Sequence, residues 1–423
     1  MTTSGIKIIS FFLRQITDVK RGGFFTIINK SKLTVFLIIR LSLAILFVPF
    51  VIVIRAIKPI IHIRFGKLSS QRIGHLAFEP ELYLCEREMG LHGKRTLDLF
   101  YLGSTIANEQ LKLMWDRKLF ICSKIVKPLF WANRCLPGFL KHIVPLHSLE
   151  HNDFLGLFDK VHSHLSFTPE EESYGKERLK LLGIPAEEAF ICFIARDSAY
   201  LNKIGKNINW SYHDYRDSKI SNYIFAAEKL VEKGYYLIRM GSVVKDPLPF
   251  SNDRIIDYAT NGRDDFMDIY LLSKCKFFIV SNSGPCAVTT IFRKPNAFVN
   301  VAPFFGVKGI SRSCDLFIPK KYWLQIENRA MTFSEIISSE ACNFYVSDDF
   351  VEAGISLIEN SPEEICDLAL EMDKRLNGNW YLTEGDEILY KKYTTILSKN
   401  GILKINMPRI GSAFLRNNIH LLN

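Results

Sequence analysis

KFFIVSNSGPCAVTTIFRKP, residues Lys276 to Pro295, is the stretch that decides the fold. Its first part, KFFIV, is a short apolar run of aromatic and β-branched residues, which is typical of a buried strand. The polar turn Ser281–Gly284 follows, and Pro285, a residue favoured at the first helical position, opens a helix-like run. This order directs backbone N–H groups, hydroxyls and a positive helix end at one point, which suits a phosphate. An ordinary βα turn is the alternative interpretation.

The composition favours a two-domain protein with an anionic partner. The chain has 423 residues, 48% of them hydrophobic, which suffices for two large cores. It carries 54 basic and 44 acidic residues, a net charge of +10, which favours a membrane surface, a nucleic acid or a phosphorylated substrate. The 9 cysteines are scattered without a C-x-x-C pair. We therefore expect a reducing compartment, no zinc site and no disulfide framework.

The N-terminal segment, residues 1–58, is predicted to associate with a membrane. Leu33 to Ile54 is almost wholly apolar, interrupted by Arg40 and Pro49, and basic residues flank it on both sides. The run starts too late for a signal peptide and lacks a small-residue cleavage site. A helix lying in an anionic membrane surface fits best. A single span and a soluble helix packed on the protein body remain as alternatives.

Downstream, strands and helices alternate, which predicts parallel sheets with helices on their faces. In residues 59–167, strands are expected at 60–68, 96–103 and 119–125, with helices in the second half of 69–84 and at 108–118. Thr168 and Pro169 begin a linker helix, residues 168–186. The repeated β–α–β pattern of residues 187–345 predicts a doubly wound domain. The helices of residues 346–423 are expected to pack back on the first domain.

Ligands of open α/β sheets bind beyond the carboxyl ends of the strands. Arg196 and Arg239 stand at or near two such ends, and arginine binds phosphate through bidentate, charge-assisted bonds. Alternatively, Arg196 forms a structural ion pair with Asp197 or Asp257, and Arg239 faces the helices. The predicted phosphate-binding residues are Arg196, Asp197, Arg239, Gly241, Ser281, Asn282, Ser283 and Gly284.

Two further segments contribute candidate residues. The loop 198–219 is long, polar and aromatic, so it is expected either to line an inter-domain cleft or to be a surface loop. Its candidate contacts are Tyr212, His213, Tyr215, Arg216 and Asp217. The loop after the first strand holds Arg72 and Gly74, followed by His75 and Glu79. Either of the last two could take a proton from a hydroxyl, or both could be structural.

Several motifs are missing from the sequence. It contains no G-x-G-x-x-G, no G-x-x-x-x-G-K-S/T, no H-E-x-x-H and no G-x-S-x-G. No strand-terminal Asp-x-Asp is present to hold a metal on a nucleotide-sugar, and the pairs Asp264-Asp265 and Asp348-Asp349 are typical of helix starts. An NTPase, a zinc protease and an α/β-hydrolase are therefore disfavoured, and no metal is expected.

Several stretches together resemble a family of predicted bacterial glycosyltransferases from surface-polysaccharide loci. They are ARDSAYL (195–201), YHDYRDSKISNY (212–223), YYLIRMGSV (235–243) and VSNSG (280–284). QRIGHLA (71–77), FTPEEE (167–172), ENSPEEI (359–365) and RIGSAFLRNN (409–418) add to the resemblance, which begins near residue 60. It implies the GT-B fold, two Rossmann-like doubly wound domains facing a cleft.

The resemblance also implies a function. Residues 187–345 would bind a nucleotide-sugar donor, and residues 59–167 would bind the acceptor through Arg72 and Gly74, without a cofactor or metal. His75 or Glu79 would act as base if the reaction inverts. The acceptor does not follow from the resemblance; from the basic, apolar N-terminus we expect a lipid-linked or growing surface glycan at the cytoplasmic face of the inner membrane. A nucleotide-sugar epimerase of the same architecture and a non-catalytic partner in polysaccharide assembly are the alternatives.

Overall fold

The computed structural model describes residues 28–423 except 29–30, 33, 36, 146–151, 186, 200–209, 249–251 and 402–406. The chain divides into two compact units. The smaller unit combines the described residues up to Lys67 with Gly93–Leu102 and Leu119–Pro145; the larger combines Leu68–His92, Gly103–Lys118 and Leu146–Asn423. The chain thus passes between the units several times, whereas we expected one boundary near residue 167.

The smaller unit packs two helices on a short sheet. Its elements are α1 (Leu37–Ala56), β1 (His62–Leu68), β2 (Thr96–Leu102) and α4 (Ser123–Arg134). β1 pairs with β2, and isolated parallel bridges join Phe65 to Ile143 and Phe100 to Ile121. The strand expected at 119–125 is therefore only a single bridge. Its last three residues belong instead to the start of α4, which begins at Ser123 and buries Val126 in the core.

The larger unit is built on a seven-stranded sheet, and each of its neighbouring pairs is parallel. Its strands are β3 (Phe190–Ile194), β4 (Tyr236–Arg239), β5 (Ile255–Ile256), β6 (Phe278–Val280), β7 (Asn296–Val301), β8 (Leu316–Pro319) and β12 (Arg409–Ile410). Their order across the sheet is β12-β8-β7-β6-β3-β4-β5. The predicted doubly wound α/β class is confirmed by this order, with β3 between β4 and β6. The antiparallel sheet β10 (Arg329–Ala330), β9 (Lys321–Leu324), β11 (Ile355–Ile358) follows β8.

The helices of the larger unit surround the sheet. They are α2 (Ile73–Glu88), α3 (Glu109–Asp116), α5 (Leu157–Lys160), α6 (Pro169–Leu181), α7 (Ser221–Val231), α8 (Asp265–Lys274), α9 (Cys286–Ile291), α10 (Phe333–Ser338), α11 (Ser347–Glu352), α12 (Pro362–Leu376), α13 (Glu384–Lys399) and α14 (Ser412–Asn417). The predicted N-cap Thr168 is confirmed, since its hydroxyl accepts the N–H of Glu171 in a reciprocal capping box.

We expected the helix of residues 168–186 to link two domains and the helices of residues 346–423 to pack on the first domain, and the structure differs on both. The linker helix α6 packs on α8, where a Cβ at Gly175 would lie 2.3 Å from the ring of Tyr270. The C-terminal helices pack within the larger unit, since α12 lies on α7 and on strands β7 and β8. The physical reason is the apolar stripe of α12, whose Leu368 and Met372 are buried there.

Candidate functional site

The candidate site lies where the strand order reverses. From β3 the chain continues to β4 and β5 on one side, and then returns to β6 on the other side of β3. The carboxyl ends of β3 and β6 are therefore neighbours, and they carry Ala195–Asp197 and Ser281–Gly284. Ligands of open α/β sheets bind at such a switch point. The structure thus brings together two segments that the sequence analysis assigned to one phosphate site.

The turn after β6 has unpaired polar atoms. Ser281 is fully buried, and Asn282 donates its Nδ2 to the carbonyl of Ala302 at 2.9 Å. The oxygens Ser281 Oγ, Asn282 Oδ1 and Ser283 Oγ are also buried, and none has a hydrogen-bond partner among the described residues. Leaving a buried polar group unsatisfied costs about 1–3 kcal/mol. Three adjacent ones indicate that water or a polar ligand occupies this turn.

Helix α2 begins against the same turn. A Cβ on Gly74 would lie 3.1 Å from the Cα of Gly284, so the two backbones are in close contact. Arg72 is the N-cap residue and makes no side-chain cap, and the first turn holds no acidic residue. The N–H groups of this turn lack intrahelical partners, which favours a nearby anion. Arg72 and Gly74, expected on a separate acceptor domain, therefore belong to the larger unit.

Replacing Gly74 by valine should separate α2 from the turn. The branched side chain meets backbone atoms of Gly284, and such overpacking costs about 1–3 kcal/mol. Gly385 is the matched control, because it occupies the same second helical position in α13 and meets only Thr383 Oγ1 at 3.8 Å. Thermal unfolding should show a lower Tm for Gly74→Val than for Gly385→Val. Equal Tm values would contradict the close contact.

Three arginines converge beside the turn. The 3₁₀ helix Ser211–Arg216 carries His213, whose pKa falls to about 4 because of burial and the positive charges of Arg216, Arg196 and Arg72. Burial lowers the pKa of Arg216, and Arg196 and Arg72 lower it further. Within the described part of the chain, neither Arg72 nor Arg216 forms an ion pair with a carboxylate. We call Arg72, Arg196 and Arg216 the arginine cluster.

Arg196 has a partner that the sequence analysis did not identify. Its Nη1 donates to Asp217 and, at 3.1 Å, to the carbonyl of His213, so Arg196 forms an ion pair as in the alternative interpretation, but with Asp217 instead of Asp197 or Asp257. Burial raises the pKa of Asp217 to about 6, against the opposing effect of Arg196. Lys320, after β8, donates to the Asp217 carbonyl at 2.6 Å and is buried. We missed Lys320, although its place directly after a buried strand was a usable signal.

The segment around the 3₁₀ helix is held firmly to the protein, which argues against a plain surface loop. Tyr215 is buried with its ring 5.6 Å from that of Phe350, and its N–H donates to Ser347 Oγ at 3.2 Å. The ring of Tyr212 lies 4.0 Å from that of His213. Residues 200–209 of the predicted loop lie outside the described residues.

The other predicted phosphate-binding residues, Asp197, Arg239 and Gly241, have structural contacts in the protein. Asp197 accepts the N–H groups of Ala199 at 2.9 Å and Lys245 at 3.0 Å, which fixes the turn after β3. Arg239 is buried and donates to Asp257 at 3.2 Å and to the Asp246 carbonyl at 2.8 Å, so it forms a structural ion pair that the sequence analysis had considered only for Arg196. At Gly241 a Cβ would lie 2.7 Å from Val244, so this position requires glycine for packing.

A cavity of about 880 Å³ adjoins the arginine cluster. Asp217, the partner of Arg196, forms part of its wall, so the cavity and the cluster share a boundary. Phe350 and Leu357 give it apolar surface, and Lys320 and Glu359 give it charge. Ligand pockets typically measure about 300–1,000 Å³. The cavity is therefore large enough for the nucleoside of a ligand whose phosphates lie on the arginines.

The two candidate bases form one pair. His75 Nδ1 lies 3.0 Å from Glu79 Oε1, one helical turn along α2. Glu79 is buried, and its other oxygen accepts the N–H of Ser69 at 3.4 Å. A buried carboxylate bonded to one ring nitrogen fixes the tautomer and orientation of the imidazole. The pair thus favours His75 as the base and Glu79 as the residue that positions it.

One group of potential metal ligands is already occupied by an arginine. Glu81, Cys85 and His164 have ligand atoms within 4.8 Å of one another. Arg293 donates to Glu81 Oε1 at 2.7 Å and to Cys85 Sγ at 3.4 Å, so a cation stands among these ligands. Its guanidinium repels a metal ion, and we interpret the group as a buried ion-pair network.

The similarity of this chain to known proteins is one of structure and not of sequence. No family model and no curated protein matches the sequence. Solved structures match in fold, among them two at 12% sequence identity each. A glycosyl transferase of family 9 from Veillonella parvula DSM 2008 covers 74% of this chain and 97% of its own, with a TM-score of 0.43. ADP-heptose LPS heptosyltransferase II from E. coli covers 69% and 98%, with a TM-score of 0.35.

Proposed function

We propose that the protein is a glycosyltransferase that uses a nucleotide-sugar donor. The supporting observation is the arginine cluster beside the unpaired oxygens of Ser281 and Ser283 at the switch point. When the sugar's anomeric carbon separates from the phosphate oxygen, negative charge develops on the nucleoside diphosphate. Pre-arranged cations that stabilise such charge are usually the largest contribution to catalysis. Here the cluster provides them without a metal ion or cofactor.

The acceptor hydroxyl would lose its proton to His75 in an inverting reaction. The hydroxyl oxygen forms a bond to the anomeric carbon as the bond to phosphate breaks, and the proton passes to the imidazole. Glu79 stabilises the imidazolium that results, because the two side chains are hydrogen-bonded at 3.0 Å. The acceptor we propose is a lipid-linked or growing surface glycan at the cytoplasmic face of the inner membrane. An epimerase would need no acceptor, and a non-catalytic partner would bind no nucleotide.

A thermal-shift screen tests donor binding most simply. The full-length protein is heated with UDP-, GDP-, CMP- and dTDP-sugars and with matched neutral sugars. We expect at least one nucleotide-sugar to raise the Tm, since a ligand at about 100 times its Kd stabilises by about 2.7 kcal/mol. No shift with any nucleotide-sugar would favour the non-catalytic alternative. Release of an isomeric nucleotide-sugar from the stabilising donor without acceptor would favour the epimerase.

The affinity for the donor should rise as the pH falls from about 7.5 to about 5.5. Asp217, with its pKa raised to about 6, loses its charge in this range and no longer competes with phosphate for Arg196. The raised pKa also means that ionised Asp217 destabilises the fold above pH 6, and that protonation relieves this cost. His213, with a pKa lowered to about 4, stays neutral throughout. Calorimetric titration of a nucleotide-sugar, whose diester phosphates do not titrate here, measures the change. Asp217→Asn should abolish it; persistence in that variant would contradict the assignment.

A further inference from the structure

Helix α1 is not amphipathic, because both its packed face and its exposed face are apolar. One stripe packs into the smaller unit: Ala44 and Val51 are buried, and Phe47, Val48 and Ile54 pack on the same core. The opposite face is exposed over its whole length. Its residues are Ile38, Ile39, Leu41, Ile45, Leu46, Phe50, Ile52 and Val53, each at least half exposed. A helix on the surface of a soluble protein has polar residues on that face.

The smaller unit has a large excess of basic over acidic residues. Its described residues contain 12 lysines and arginines against 1 aspartate, a formal charge of +11. The described residues of the larger unit contain 34 basic and 41 acidic residues, a charge of −7. The net positive charge of the described residues thus lies in the unit with the exposed apolar helix. Anionic lipid attracts each such cation by about 1 kcal/mol near the surface.

Length and composition alone would let α1 cross a bilayer, since among the described residues it is a helix of 20 residues with a mean hydropathy of 2.8. Its contacts argue against a crossing. Arg40 lies over the ring of Trp131 at 4.9 Å, and Arg55 donates to Asn133 Oδ1 at 2.7 Å. Between these two arginines, the residues of α1 that pack on the smaller unit run from Ala44 to Ile54, about 15 Å along the helix at 1.5 Å per residue. The body of the smaller unit therefore lies against α1 over about half of the helix.

A spanning α1 would carry α4 into the hydrocarbon with it. α4 bears Lys124, Lys127 and Arg134, and charged side chains at the bilayer centre are strongly disfavoured. In the plane of the interface, by contrast, the apolar face can enter the acyl chains while these cations reach lipid headgroups. We propose that α1 and α4 form a monotopic face that binds anionic lipid. This inference rests on the proposed function, since the face would hold the enzyme beside a lipid-linked acceptor.

The packing of α1 decides how the inference must be tested. Deleting residues 1–58 would remove Val51 and Ala44 from the core, so loss of membrane binding would not be distinguishable from unfolding. Single changes on the exposed face avoid this problem. Ile45→Glu alters a side chain that is 62% exposed, and Ile326→Glu, 96% exposed in the larger unit, is its matched control.

The measurement is co-sedimentation of the full-length protein with phosphatidylcholine vesicles, with or without about one third phosphatidylglycerol. We expect binding to the anionic vesicles, weakened by about 0.5 M NaCl. Ile45→Glu should weaken it at least about tenfold, since an apolar contact of more than about 1.4 kcal/mol is lost. Ile326→Glu should bind like the wild type. Circular dichroism confirms that both variants are folded.

The basic residues have their own matched pair. Lys124→Glu/Arg134→Glu should lower binding at least about 25-fold, about fivefold for each lost cation. Lys391→Glu/Lys399→Glu, with the same charge change on exposed positions of α13, should have a much smaller effect.

Binding to neutral vesicles that equals binding to anionic vesicles and does not depend on salt would overturn the inference in favour of a span. Failure to bind any vesicle, with Ile45→Glu halving the mass in solution, would instead assign the face to a second copy. No donor is present in this assay, so its outcome is independent of the proposed glycosyl transfer.

Discussion

Replacing Arg72 by alanine is expected to lower kcat/KM for the donor by roughly a hundred- to a thousandfold, the effect of removing one group that stabilises developing charge. Arg72 is suited to this test because it is exposed and forms no ion pair among the described residues. Its removal should leave the Tm unchanged. The measurement is transfer or hydrolysis of the nucleotide-sugar identified by thermal shift.

Lys118→Ala is the control for Arg72→Ala. Lys118 is also an exposed cation of the larger unit, near the end of α3, so its loss changes the net charge equally. We expect wild-type kcat/KM for this variant and partial recovery in Arg72→Lys, which keeps the charge but loses bidentate bonding. Equal effects of Arg72→Ala and Lys118→Ala would show that Arg72 acts only through long-range charge.

His75→Ala is expected to reduce kcat for transfer by roughly a hundred- to ten-thousandfold, the usual contribution of a general base. The affinity for the donor should change little, because the imidazole acts on the acceptor hydroxyl. Glu79→Gln should have a smaller effect on kcat, since it positions the base rather than taking the proton. Single-turnover transfer and calorimetric donor titration measure the two quantities separately.

The chain contains a structural pair of the same composition that serves as control. His92 Nε2 lies 2.9 Å from Glu86 Oε2, and His92 is buried. His92→Ala should therefore lower the Tm without lowering kcat at a temperature where the protein is folded. If His75→Ala behaved in the same way, losing stability but keeping kcat, the proposed base would be wrong.

The sequence predicted at which strand ends the site residues lie, but it did not predict which side chains pair with them. Runs such as KFFIV reveal where a strand ends, and the order of the strands then makes β3 and β6 neighbours. The Ser281–Gly284 turn was therefore placed correctly. The ion pair of Arg196 was not, because Asp217 reaches it from a 3₁₀ helix whose path depends on packing against Phe350.

The other differences between the predicted and the observed site arise from contacts between segments that are distant in sequence. Arg239 looked like a phosphate ligand because it ends a strand, but Asp257 on the neighbouring segment neutralises it. Gly74 looked like part of a separate acceptor domain, because sequence order does not show that a Cβ at Gly74 would lie 3.1 Å from the Cα of Gly284. The exposed face of α1 could not be separated from its packed face either, since both consist of apolar residues. Only the contacts with the core divide them.

The most direct measurement is a crystal structure of the protein with the nucleoside diphosphate of the stabilising donor. We predict phosphate oxygens within about 2.7–3.2 Å of the guanidinium groups of Arg72, Arg196 and Arg216, with hydroxyls of the Ser281–Gly284 turn donating to the same diphosphate. The nucleoside should occupy the adjoining cavity of about 880 Å³. A diphosphate bound elsewhere, with the arginine cluster empty, would contradict the account.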